Sequence, residues 1–254
     1  LTGNKENPMK SLRHIVPTVG LIAAALLAVA AAAAAESESQ RISRLRAQLC
    51  TTHIEYLDGA AGSVADLARA LGALARQLPD DPSTAELGQR VAQAAEEARA
   101  LLEALDLQLT VAVNACDNLA ARIKQPTLMR PDEGQRFSKS NVIRGLREEL
   151  CSLYVDNLAE ILLRGDWILE DLGAIQADPA AARLRTARGI DLPGAENRLR
   201  QLVDTAAGQF FASELACLAI GERAAKRDFW RAAEAGLQPG LTTNPYLVLL
   251  RIYD

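Results

Sequence analysis

Prolines constrain this chain more than any other feature. Beyond residue 35 they stand in four pairs: Pro79 and Pro82, Pro126 and Pro131, Pro179 and Pro193, Pro239 and Pro245. Proline inside a helix removes a hydrogen bond and clashes with the preceding turn, so helices belong between the pairs. The Pro-free stretches are 36–78, 83–125, 132–178 and 194–238. The chain is 49% apolar but only 4% aromatic and rich in alanine, which suits helices better than a sandwich or barrel. Ser83-Thr84-Ala85-Glu86 reads as a capping box opening the second helix.

Apolar positions recur at steps of three and four. Leu45, Leu49, His53, Tyr56 and Ala60 do so in the first stretch, Val91, Ala95, Ala98, Leu102 and Leu105 in the second. The fourth gives Leu199, Val203, Ala206, Phe210, Ser213 and Cys217. This is the seam of helices that cross at shallow angles.

The chain also repeats itself at an offset of 101. Arg46–Cys50 aligns with Arg147–Cys151, Leu71-Gly72-Ala73 with Leu172-Gly173-Ala174, and Ala115-Cys116 with Ala216-Cys217. A duplicated helical hairpin implies an all-α, up-down bundle of four long antiparallel helices. Its parts are hairpin repeat 1 at 36–125, a linker at 126–140, hairpin repeat 2 at 141–238 and an apolar tail at 239–254. The linker is polar and is expected to be mobile.

Cysteine spacing sharpens the topology. Cys50 and Cys116 are centred on residue 83, and Cys151 and Cys217 on residue 184, both inside the expected hairpin turns. Residues equidistant from a turn lie side by side, so each pair is placed to form a disulfide across its own hairpin. Four cysteines allow three connectivities, and a four-thiolate metal site is the competing use.

The N-terminus reads as an export signal. Basic Lys10 and Arg13 precede an apolar run at 15–35 that ends in Ala33-Ala34-Ala35, before polar Glu36-Ser37. Met9 reads as the start, and cleavage is expected after Ala35, giving a periplasmic or secreted protein. An uncleaved 15–35 would instead anchor the chain in a membrane. Losing Lys5, Lys10, Arg13 and Glu6 takes the formal charge from −4 to −6. That charge gives no reason to expect nucleic acid.

Candidate chemistry is sparse. His53 occupies the seam, with Tyr154 at the matching position of repeat 2. Folding about the turns places His53, Tyr56, Asn114, Tyr154, Asn157 and Glu214 at one level, a polar layer that could fix register or hold a small polar ligand or ion. No HExxH, GxSxG, P-loop or EF-hand pattern is present, and no catalytic residue, metal or cofactor is expected. Trp167, Phe210, Phe211, Phe229 and Trp230 read as packing, and the Arg-rich 183–188 as a solvated connection. In the tail, Tyr246, Leu247, Leu249, Leu250, Ile252 and Tyr253 either dock on the bundle or present an interaction surface. The expected function is therefore a non-enzymatic protein-interaction, scaffold or sensor module with an unknown protein partner. The alternative is a periplasmic bundle that binds a small ligand or metal around His53.

Overall fold

The computed structural model describes residues 37–78, 81–131, 137–188, 191–237 and 243–253. The expected signal segment lies outside the described residues. The chain divides into two compact units, Leu1–Ser43 and Arg44–Asp254. In the first, Ser37 N–H donates to Gln40 Oε1 (2.9 Å) and Gln40 N–H to Ser37 Oγ (3.2 Å). This reciprocal pair is a capping box.

The helices in chain order are α1 (Glu38–Ala47), α2 (Ile54–Ala75), α3 (Ala85–Ala120), α4 (Lys139–Glu149) and α5 (Val155–Ala177). There follow α6 (Pro179–Arg188), α7 (Leu192–Gly221), α8 (Lys226–Ala233) and α9 (Pro245–Tyr253). A π-helical turn, Gln48–His53, joins α1 to α2, and another, Leu150–Tyr154, joins α4 to α5. No strand occurs among the described residues.

The second unit is an all-helical bundle. Its long helices close a ring, with α2 on α3, α3 on α5, α5 on α7 and α7 on α2. Neighbours run antiparallel. Between α3 and α5, Arg90 meets Asp171 (3.4 Å), Glu97 meets Arg164 (2.5 Å) and Gln108 meets Asn157 (2.5 Å). One set of numbers rises as the other falls. Gln176 with Glu196, and Cys151 with Cys217, do the same between α5 and α7. The core is built from Leu57, Val64 and Leu71 of α2, Val91 and Leu105 of α3, Ile161 and Ile168 of α5, and Leu199 and Leu202 of α7. Each such side chain contributes about 1.5–3 kcal/mol through burial. Ala94, Ala95, Ala98 and Ala112 keep the buried face of α3 thin.

Four local features differ from the sequence expectation. The fourth helix stops at Gly221, because Glu222–Asp228 offers only small and polar residues to the seam. Beyond it, α8 and a 3-10 turn, Glu234–Leu237, fold back on α7 and bury Phe229, Trp230 and Leu237. The connection at 178–193 holds a helix, α6, whose first turn is capped by Asp178 through the N–H groups of Ala180 (2.7 Å) and Ala181 (3.2 Å). Ser83 and Glu86 form no capping box. Asp81 takes the Ser83 N–H instead (2.8 Å), and this bond holds its carboxyl below the usual range.

The fourth difference is the linker. Its described part is pinned, because it carries apolar residues and buried backbone groups that need partners. Leu128 is fully buried. Its N–H donates to Glu149 Oε2 (2.6 Å), and its carbonyl accepts from Asn114 Nδ2 (2.6 Å). Pro126 sits so close to α4 that a Cβ on Gly145 would fall 2.5 Å from the proline Cβ, so only glycine fits there.

The tail is helical and buried. Pro245–Leu250 of α9 are buried, and α9 packs on α3 and α4. Asn244 caps it through Leu247 N–H (3.1 Å) and ties it to α7 through Ser213 Oγ (2.9 Å). Tyr253 donates its hydroxyl to the Ile123 carbonyl (2.7 Å). Gly236 lets Leu247 approach, since a Cβ there would meet Leu247 Cδ1 at 2.5 Å. The expectation of an interaction surface at Tyr246, Leu247, Leu249, Leu250, Ile252 and Tyr253 is thereby corrected. The first four are fully buried and the last two half-buried, because an apolar segment this dense gains more by covering the open end of its own bundle.

Candidate functional site

Both disulfides lie at one end of the bundle, each within its own hairpin. Cys50 bonds Cys116 and Cys151 bonds Cys217, with Cα–Cα separations of 5.5 Å in each. No thiolate remains for metal among the described residues. Cys50 and Cys151 each lie in a π-helical turn, and each turn ends on the layer residue, His53 or Tyr154. A π turn inserts one extra residue, and such insertions are frequent at functional positions.

The duplication extends to backbone conformation. Arg122 (φ 54°) and Arg223 (φ 52°) both follow the long helices α3 and α7 in the left-handed region. They are 101 residues apart, as are the aligned cysteines. A non-glycine residue there is uncommon, and finding it twice at one register marks the same helix stop in both halves.

Between α2, α3, α5 and α7 lies a cavity of about 20 Å³. His53, Tyr56, Gln108, Tyr154, Thr205 and Gln209 line it together with leucines, an isoleucine and Ala206, and the surface they present to it is almost wholly apolar. The volume suits about one water molecule. His53 is 2% exposed, and neither ring nitrogen has a hydrogen-bonding partner among the described residues. Burial pushes its pKa down to about 4, so the ring is neutral at pH 7. Burial raises the phenol pKa of Tyr56, opposed in part by the neighbouring Thr205. Tyr154 is buried, which also raises its phenol pKa, and its ring meets that of Tyr246 edge-on at 5.0 Å.

The structure brings together three of the six expected layer residues directly: His53, Tyr56 and Tyr154. Asn157 joins through Gln108, accepting from its Nε2 (2.5 Å) and donating to the Ala104 carbonyl (3.4 Å). Asn114 and Glu214 do not line the cavity; Asn114 holds the linker instead. Reflection about a turn fixes height but not direction. At about 100° per residue, Asn114 points roughly 120° away from Gln108, and Glu214 roughly 180° away from Thr205. The three unread members are Gln108, Thr205 and Gln209. Gln108 and Gln209 carried a signal, since each is polar at seam spacing, between Leu105 and Ala112 and between Leu202 and Ser213. Thr205 carried none, because it is reached only from the neighbouring helix.

A second buried polar group lies nearer the open end. Glu149, 8% exposed, accepts the N–H groups of Leu128 (2.6 Å) and Met129 (3.3 Å). The phenol of Tyr246 is pushed up by its burial and by the charge of this carboxylate. Gln48 occupies the matching position of repeat 1.

No protein-family model matches the chain, and no curated protein or solved structure resembles it significantly. Among the described residues no helix is long and apolar enough to cross a membrane, and no cluster of His, Cys, Asp and Glu could hold a metal ion.

Proposed function

We propose that this chain is an exported, non-enzymatic helical bundle that acts by binding another protein. The two disulfides support an oxidising compartment, where such bonds form and persist. The observation that carries the binding function is an asymmetry between the halves. Among the described residues, Leu153, Leu163, Trp167, Phe211, Leu215 and Leu218 are large apolar side chains left exposed, and all belong to repeat 2. At the matching positions repeat 1 has Thr52, Gly62, Asp66, Thr110, Asn114 and Asp117. Among the described residues of repeat 1, only Val113, which aligns with Glu214, is an exposed large apolar side chain. Phe211, Leu215 and Leu218 follow one another along α7 at helical spacing, 66%, 49% and 60% exposed. A duplicated scaffold needs no such residues for its core, and exposed apolar stripes mark contact surfaces.

Photo-crosslinking in the producing cells tests this. A photoreactive residue at Phe211 or Leu215 is expected to trap a protein partner, whereas one at Thr110 or Asp117 is not. Equal capture from both halves, or none from repeat 2, would refute the proposal.

A second reading rests on His53, whose imidazole nitrogens are buried without a hydrogen-bonding partner among the described residues, beside a small cavity. It would hold a ligand of one or two heavy atoms. A Tm of wild type that rises with such a ligand, and of His53→Ala that does not, would support it.

A further inference from the structure

At the disulfide end of repeat 2, two open grooves adjoin. One, of about 700 Å³, is floored by Ile143, the Cys151–Cys217 bond and Ile220. The other, of about 370 Å³, continues over Ile220 to Phe229. Both are lined by Arg147 and Ile220. Among the described residues, three arginines, Arg144, Arg147 and Arg223, line the pair of grooves with one carboxylate, Glu148, which Arg144 meets at 4.0 Å. This is a concentration of positive charge on a chain whose formal charge is −4.

Arg147 is the centre of it. Its guanidinium lies over the Phe229 ring, 5.2 Å from the centroid, and its Nε is buried without a hydrogen bond to any described residue. No carboxylate pairs with it among the described residues. The first repeat explains why. There Arg46, at the matching position, donates to the Leu119 carbonyl at the end of α3 (3.2 Å). In repeat 2 the equivalent carbonyl, Ile220, accepts from the Arg223 N–H instead (3.0 Å). The capping duty of this arginine has passed to the backbone, which leaves the side chain facing the grooves.

We infer that these grooves bind an acidic amphipathic segment of a partner protein. Its aliphatic side chains cover Ile143, the disulfide and Ile220, and its Asp or Glu carboxylates meet Arg147 and Arg223. Charge complementarity selects this occupant. A guanidinium already stacked on an aromatic ring is oriented for a planar carboxylate, and little of its freedom remains to be lost on binding. The exposed stripe extends the contact, since Leu218 lies one turn before Gly221 of the groove wall. A phospholipid surface shares the charge logic but is flat, whereas these grooves are concave. The inference rests on the protein-binding function proposed above.

Selection of peptides from a random displayed library, on the full chain with both disulfides intact, tests it. The expected winners carry carboxylates beside aliphatic residues at helical spacing. Their binding is expected to weaken at least about tenfold in Arg147→Gln and in Arg223→Gln, and to stay unchanged in Arg69→Gln. Circular dichroism and Tm of each variant confirm that it folds. The inference is overturned if no peptide is enriched, if winners are neutral or basic, or if binding survives Arg147→Gln. Flotation with phosphatidylglycerol vesicles that is lost in the same variants would also overturn it, in favour of a lipid surface. Crosslinks from Phe211 that persist after such a failure would leave the binding function standing and remove only the acidic segment.

Discussion

Repeat 1 and repeat 2, aligned at their offset of 101, agree in backbone and differ in chemistry at their open ends. Both have a π turn at the first cysteine, a disulfide to the second helix and a left-handed arginine after the second helix. Then they diverge. Repeat 1 has His53, Gln48 and an Arg46 that holds the Leu119 carbonyl. Repeat 2 has Tyr154, Glu149 and Arg147 in those positions, and adds α8 and α9. Shared features are those that set helix length, register and closure. The differing ones lie where a surface is covered, a linker is held or a groove opens. The two halves share the scaffold, and the exposed apolar side chains are concentrated in repeat 2.

The largest expected effect breaks this comparison at the tail. Truncation before Pro245 removes the cover from the core around Tyr154 and Leu146. Tyr246 to Leu250 are all fully buried, so the loss is expected to exceed about 5 kcal/mol and cooperative unfolding to disappear. A cooperative calorimetric transition in the truncated protein would show that repeat 2 closes as repeat 1 does.

The next effect separates His53 from Tyr154. The unfolded imidazole takes up a proton near its ordinary 6.5, the folded one near 4. Between these values the unfolded state binds more protons, so stability falls as pH drops through that window, by about 3 kcal/mol. His53→Leu is expected to lose that slope, measured as the difference from wild type in urea unfolding at pH 7 and pH 4. Parallel pH profiles would place the burial elsewhere.

Smaller again is Glu149→Gln, which gives the linker the amide that repeat 1 has at Gln48. The two N–H bonds from Leu128 and Met129 lose their charged acceptor, and a loss of about 1–2 kcal/mol is expected in denaturant unfolding. Amide exchange at Leu128 should quicken with it.

The smallest effect belongs to the exposed stripe. Phe211→Thr and Leu218→Asp install the repeat 1 residues, and Tm is expected to move by no more than about 0.5 kcal/mol equivalent. A larger loss would mean that the stripe is part of the fold.

Much of the fold was legible in the sequence. Proline spacing marked four helical stretches, and cysteine spacing placed two bonds, because both depend on chain distance alone. Direction around each helix was harder to read. Along α7 both Val203-Ala206-Phe210 and Leu202-Ala206-Gln209 look like seams, and the Ala-rich face does not distinguish them. The chosen phase hid Gln209. The π turns left no trace either, since one inserted residue changes no composition. At Ser83 the capping pattern was present, but the carboxylate of Asp81 reached the backbone first. Arg147 became visible as a candidate only once the structure showed Arg46 occupied.

Non-reducing proteolysis with mass spectrometry of the native protein tests the duplicated, stapled hairpin most directly. The expected result is two linked peptide pairs, Cys50 with Cys116 and Cys151 with Cys217, and no free thiol. Linkage of Cys50 or Cys116 to Cys151 or Cys217, or four alkylatable thiols in the native protein, would contradict it.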